Sequence, residues 1–286
     1  MINIFDNIMD SIRDRVPANI ILGFKFIMNS KLDIQKIKDK LDFYLIRFYN
    51  KGFIKKDPIS IPHMFKNKKD IEVSAFLISI LSFGRREAII KKGIALMKLM
   101  DSDPYNFIVN CEKSDLEKIK NFSYRMIFSE DIIFFIKRLR EILRKESSLE
   151  DALVQFHSND DFNFESTLIK FHDFFFEGLN SSFKTRRHLP SPAKGSTCKR
   201  INMFLRWMIR KDSAGVDFGM WEKFSPSKLL IPCDTHVINQ ARKLSIINHK
   251  RATWKTVLEI TSFMKLLSNE DPIKYDFALF SLGVNF

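Results

Sequence analysis

Between Asp70 and Met100 the chain reads DIEVSAFLISILSFGRREAIIKKGIALMKLM, and this stretch limits its fold more than any other. Val73, Phe76, Leu77, Ile80 and Leu81 recur at i, i+3, i+4, i+7 and i+8, which lines one side of a 3.6-residue helix with large apolar groups. A face of that kind is stable only when another element covers it. Asp70 is placed to cap the helix and Phe83-Gly84 to break it. A second helix then runs from about Arg85 to Met100 with its lysines outward, which predicts a helical hairpin at the centre of a core.

The rest of the chain repeats this pattern. KLDIQKIKDKLDFYLIRFYNKGF, from residue 31, has apolar residues at helical spacing, with Gly52 as the expected stop, and PISIPHMF holds two prolines and predicts a loop. Further helices are expected over 130–145, 148–157 and 163–179, then in CKRINMFLRWMIRK, then over 235–244 and 254–267. In CKRINMFLRWMIRK a stripe of Ile201, Phe204, Leu205 and Met208 leaves Lys199, Arg200, Arg206, Arg210 and Lys211 on the polar side. Only nine glycines and nine prolines punctuate 286 residues, so the expected class is all-α. Residues 1–31 are expected to form a helical extension and residues 32–286 the main domain.

A formal charge of +13 points to a polyanionic partner, and its distribution sharpens the point. Nine Lys or Arg residues and no Asp or Glu lie between Lys184 and Lys211, whereas residues 147–177 are acidic. The cysteines, Cys111, Cys198 and Cys233, are three, far apart and free of any C-x-x-C spacing, which argues against a disulfide framework and a cysteine-ligated metal. Asp6, Asp10 and Asp14 stand where a signal peptide would carry positive charge, and the apolar run 18–28 is too short to span a bilayer. The expectation is a cytoplasmic, nucleoid-associated monomer that does not engage membranes.

Two segments carry the chemistry. In LIPCDTHVINQARKL, residues 230–244, Asp234 precedes a predicted helix, so it is either the N-cap of that helix or a catalytic carboxylate. Upstream, Gly195-Ser196 opens a helix with Lys199 in its first turn, and unsatisfied amides at such a turn suit phosphate. If the intervening chain folds back, Lys199 and Asp234 share one groove.

These residues carry a resemblance. IPCDTHVINQARKL resembles the catalytic segment of the helix-hairpin-helix DNA glycosylase superfamily, the endonuclease III-like enzymes, in the order Asp234, Thr235, His236 and Val237. SPAKGSTCKRINMFLRWMIRK is similar to their phosphate-gripping hairpin, and DPIKYDFALFSLG completes the likeness, which covers residues 32–286 and is nearest to the archaeal 8-oxoguanine DNA glycosylase branch. Departures are a hairpin with one glycine in place of L-P-G-V-G and a longer Lys199-to-Asp234 spacing.

The resemblance implies a two-lobed, all-α fold with double-stranded DNA in its cleft. It also implies a base-excision repair glycosylase, with apurinic-site lyase activity, that acts on an oxidised purine such as 8-oxoguanine. Asp234 and Lys199 would be catalytic, with Lys194 the competing amine. Lys194, Gly195, Ser196, Arg200, Thr235, His236 and Arg242 would contact DNA. No cofactor is expected: the iron–sulfur cysteines of endonuclease III have no counterpart after Asp234. The alternative is a non-catalytic DNA-structure-binding protein of the same fold.

Other residues have plainer assignments. His236 lacks a second His or Cys nearby and fits a helix start better than a metal site. Trp207, Trp221 and Trp254 lie in apolar stretches and are expected in the core, as are Tyr275 and Phe277, while Phe83 and Arg85 are within reach of a base pocket.

Overall fold

The computed structural model describes residues 31–180 and 183–283, and the rest of the expected N-terminal extension lies outside them. The described chain is mostly helical. Its only named strands, β1 (Ser123–Tyr124) and β2 (Ile127–Phe128), form an antiparallel hairpin too short to show as a periodicity in the sequence.

Helix α1 (Lys31–Phe48) stops before Gly52 is reached. Asn50 instead starts the single turn α2 (Lys51–Ile54) by accepting a hydrogen bond from Gly52 N at 2.9 Å, so Gly52 sits inside a helical turn. The proline-rich stretch is not an irregular loop either. It winds into two 3₁₀ turns, Pro58–Ser60 and Pro62–Met64, each with proline in its first position, where a missing N–H costs nothing.

Helix α3 (Lys68–Leu81) is the axis of the core, capped by Asn67, which accepts from Lys69 N at 2.9 Å. Asp70 lies in the first turn and accepts from Tyr105 N, tying α3 to α5 (Pro104–Asn110). The sequence periodicity describes one buried face, but Ala75 and Ile78 on other sides are fully buried too. Other elements cover it all round: α4 (Arg86–Leu99), α5, the 3₁₀ turns and α10 (Lys199–Ile209). Ser74 and Ser79 are tolerated there because each hydroxyl donates to a carbonyl three residues back.

Around this axis, α6 (Lys113–Ile119), α7 (Ser129–Leu143), α8 (Leu149–Val154) and α9 (Glu165–Phe175) build the side that α5 faces. Phe135 and Phe175 of α7 and α9 meet Phe76 of α3 edge-on or tilted. On the other side, α11 (Thr235–Lys243) and α1 both pack on α13 (Asp276–Gly283), and α12 (Trp254–Leu267) joins the basic turn through Trp254 N, which donates to Gly195 O at 2.9 Å. Trp207, Trp221, Trp254, Tyr275 and Phe277 are buried. Among the described residues no helix is long and apolar enough to cross a membrane.

Arg206 in α10 and Arg210 at its C-terminal end do not stay on the polar side. Arg206 and Arg210 are buried, and Asp217, Asp271 and Asp276 pair with them from chain segments further on. Tyr49 adds its hydroxyl, which accepts from Arg210 at 2.8 Å. Buried charge is costly unless paired and hydrogen-bonded, and here each guanidinium meets two or more carboxylates.

Candidate active site

Asp234 has the extended backbone of an N-cap, and its Oδ1 accepts from His236 N at 2.9 Å and Val237 N at 3.0 Å. Its other oxygen, Oδ2, lies 3.8 Å from Lys199 Nζ. One carboxylate therefore caps α11 with one oxygen and faces Lys199 with the other. Cap and chemistry are compatible in a single side chain.

Lys199 reaches this position because of the turn before α10. Gly195 closes the 3₁₀ turn Pro192–Lys194 with φ +72, a left-handed conformation that glycine adopts without strain, and its N–H donates to Pro192 O at 2.8 Å. Ser196 Oγ then accepts from Cys198 N at 3.2 Å, and Cys198, itself left-handed at φ +48, starts the helix. The lysine thus sits in the first helical turn, half-buried, with its amine directed at Asp234.

The pair stands in a cleft of about 540 Å³. Phe53, Phe83 and Phe280 contribute aromatic walls, and Arg86, Arg206, Asp57, Asp276 and His236 contribute polar ones. Burial lifts the Asp276 carboxyl to about 6 even though Arg206 pairs with it, and burial raises that of Asp57 against the pull of Arg86 and Ile59 N. Both carboxylates feel the field of Lys199. The local excess of basic residues in the sequence suggests cations around that amine, yet its nearest ionic partner is Asp234.

The other expected site residues are distributed unevenly. Lys194 is exposed and does not line the cleft, so Lys199 is the amine brought to Asp234. Gly195 is exposed and Ser196 half-exposed on the same turn; Thr235 and His236 are exposed at the start of α11, with His236 edge-on to Phe280. Arg242 is exposed two turns further along α11, about 12 Å along the axis from Asp234, and does not line the cleft. Arg200 turns inward: its guanidinium donates to Ile80 O at 2.9 Å and Arg187 O at 2.8 Å, and burial lowers it to about 10. It braces the turn against α3, which leaves little of it to meet a phosphate.

Sequence reasoning missed Asp57, Arg86 and Phe280. Asp57 had one local signal, its place before Pro58 at a turn, but nothing in the spacing joins residues 57, 86 and 280 to residue 234. Phe83 does line the cleft; Arg86, one position beyond the expected Arg85, is the arginine that enters it. Among the described residues no group of three or more His, Cys, Asp or Glu is arranged to hold a metal ion. A family model described as "Protein of unknown function (DUF2400)" matches residues 57–285, while no curated protein and no solved structure matches the chain.

Proposed function

We propose that this chain, which belongs to the DUF2400 family, is a DNA glycosylase with apurinic-site lyase activity on a two-lobed helix-hairpin-helix scaffold. Its substrate in this reading is double-stranded DNA carrying an oxidised purine such as 8-oxoguanine. The observation that carries the reading is the 3.8 Å approach of Lys199 to Asp234, residues 35 positions apart, at the edge of a cleft with aromatic walls. A cleft of about 540 Å³ falls within the usual size of a small-molecule site, roughly 300–1,000 Å³, and a single extruded base fits it.

The chemistry follows from the two groups. As the bond between C1′ and the base breaks, positive charge grows on the sugar, and the free oxygen of Asp234 stabilises it. The unprotonated amine of Lys199 attacks C1′, the base leaves with a proton, and opening of the sugar ring yields an iminium on the lysine. Loss of a C2′ proton then expels the 3′ phosphate and cuts the strand. The turn Lys194–Ser196, with Lys194 and Gly195 exposed and Ser196 half-exposed, lies beside Lys199 in the chain and suits the DNA backbone.

The test is excision from duplexes that carry 8-oxoguanine. Asp234→Asn should lose base release by about a hundredfold or more, the scale for removing one preorganised electrostatic group, while duplex affinity stays within about twofold. Unchanged excision would remove Asp234 from the reaction.

A further inference from the structure

Resting on the glycosylase reading of the cleft, we propose that Arg86 and Asp57 form a base-reading pair specific for a lactam edge, a carbonyl beside a ring N–H. Arg86 becomes a specificity-determining residue, and the substrate class widens from one lesion to purines or pyrimidines that present that edge.

Arg86 carries a donor set that the fold leaves unused. Every other described arginine that is not exposed gives N–H groups to oxygen acceptors: Arg138 to Phe175 O at 3.0 Å, Arg140 to Ile108 O at 2.9 Å, Arg186 to Leu179 O at 2.7 Å. Arg200, Arg206 and Arg210 do the same to carbonyls or carboxylates. Arg86 alone in that group makes no hydrogen bond among the described residues. Its guanidinium lies 4.2 Å from the centre of the Phe280 ring and 5.5 Å from that of Phe53, and Arg86 lines the cleft. Five donors in a fixed fork call for an acceptor from outside.

Asp57 supplies the complementary half. Its Oδ1 accepts from Ile59 N at 3.1 Å, which locks the side chain, and its Oδ2 stands 3.8 Å from Arg86 Nε, too far for a hydrogen bond between them. A donor and an acceptor thus face one cleft side by side. A carbonyl can accept from Arg86 while the adjacent ring N–H donates to Asp57. Hypoxanthine, guanine, uracil and the oxidised edge of 8-oxoguanine all present this pattern. Adenine presents the reverse: its amine would meet the guanidinium and its bare ring nitrogen the carboxylate.

Hypoxanthine and adenine share one ring skeleton and differ at this edge, so they are the probes. Titration of the full chain with each free base, followed by calorimetry or ligand-observed NMR, should show hypoxanthine bound about tenfold or more tightly than adenine. Arg86→Met should bring the two within about twofold. Arg86→Lys, which keeps the charge and disturbs packing less, should keep part of the preference. Equal affinity for the two bases, no binding of either, or an unaltered preference in both variants would overturn the proposal. A preserved preference for hypoxanthine in a protein that releases no base from any duplex would remove the glycosylase reading and leave the lactam pocket standing. Conversely, excision of alkylated adenine as fast as 8-oxoguanine would keep the glycosylase and discard the edge reader.

Discussion

Asp234 lets two roles be separated at a single side chain. Asn is as good an N-cap as Asp, so Asp234→Asn should leave stability within a few tenths of a kcal/mol, whereas Asp234→Ala should cost about 1 kcal/mol by leaving two amides of α11 without an acceptor. Urea denaturation of the three proteins checks this, and it guards the excision assay against a trivial folding defect. A second residue fixes a pH dependence. Glu72 is buried, accepts from Trp221 Nε1 at 2.7 Å and Leu149 N at 2.9 Å, and burial pushes its carboxyl up to about 7. The folded state therefore binds a proton that the unfolded state, with an ordinary value of 4.5, has already lost. Its share of the stability is full below pH 4.5 and falls as pH rises to about 7, by about 3 kcal/mol. In Glu72→Gln the decline over that window should shrink by this share, Asp276 keeping a smaller one of the same sign, and Trp221 fluorescence reports the unfolding. An unchanged slope would show that Glu72 titrates normally.

At the scale of elements, close approach decides more than propensity. Gly93 lies on α4 where a methyl group would fall on the ends of the Ile61 and Ile78 side chains, so alanine there would force both of these buried groups to move. Gly93→Ala would gain about 1 kcal/mol of helix propensity and lose about 1–3 kcal/mol to overpacking, so the melting temperature should fall. A rise would mean that the packing yields. The helices themselves were legible because their apolar spacing is local: the expected span 254–267 coincides with α12, and the stripe of α10 is buried as its periodicity requires. What escaped the sequence was set by partners far along the chain. Asn67 rather than Asp70 caps α3 because the helix starts at Lys68, which leaves Asp70 inside its first turn to accept from Tyr105 N, and the prolines at 58 and 62 open 3₁₀ turns that pack on α3 and α4. The Lys199 and Asp234 juxtaposition was foreseen from two motifs; Arg86, Asp57 and Phe280 carry no motif, and only the fold brings them to the same cleft.

For the molecule as a whole, the charge pattern needs a structural correction. Nine basic residues between Lys184 and Lys211 read as a single footprint, but Arg200, Arg206 and Arg210 turn inward, the last two to carboxylates that the local count does not include. Lys184, Arg187, Lys194 and Lys211 remain exposed, so the surface that can meet a phosphate backbone is smaller than the segment suggests. The weight of the account therefore rests on the cleft. Its most direct test is borohydride treatment of the protein with duplexes carrying 8-oxoguanine or an abasic site, beside Lys199→Ala and Lys194→Ala. The account predicts a covalent protein–DNA adduct that survives Lys194→Ala and disappears in Lys199→Ala; an adduct that persists without Lys199, or none on either duplex, would contradict it.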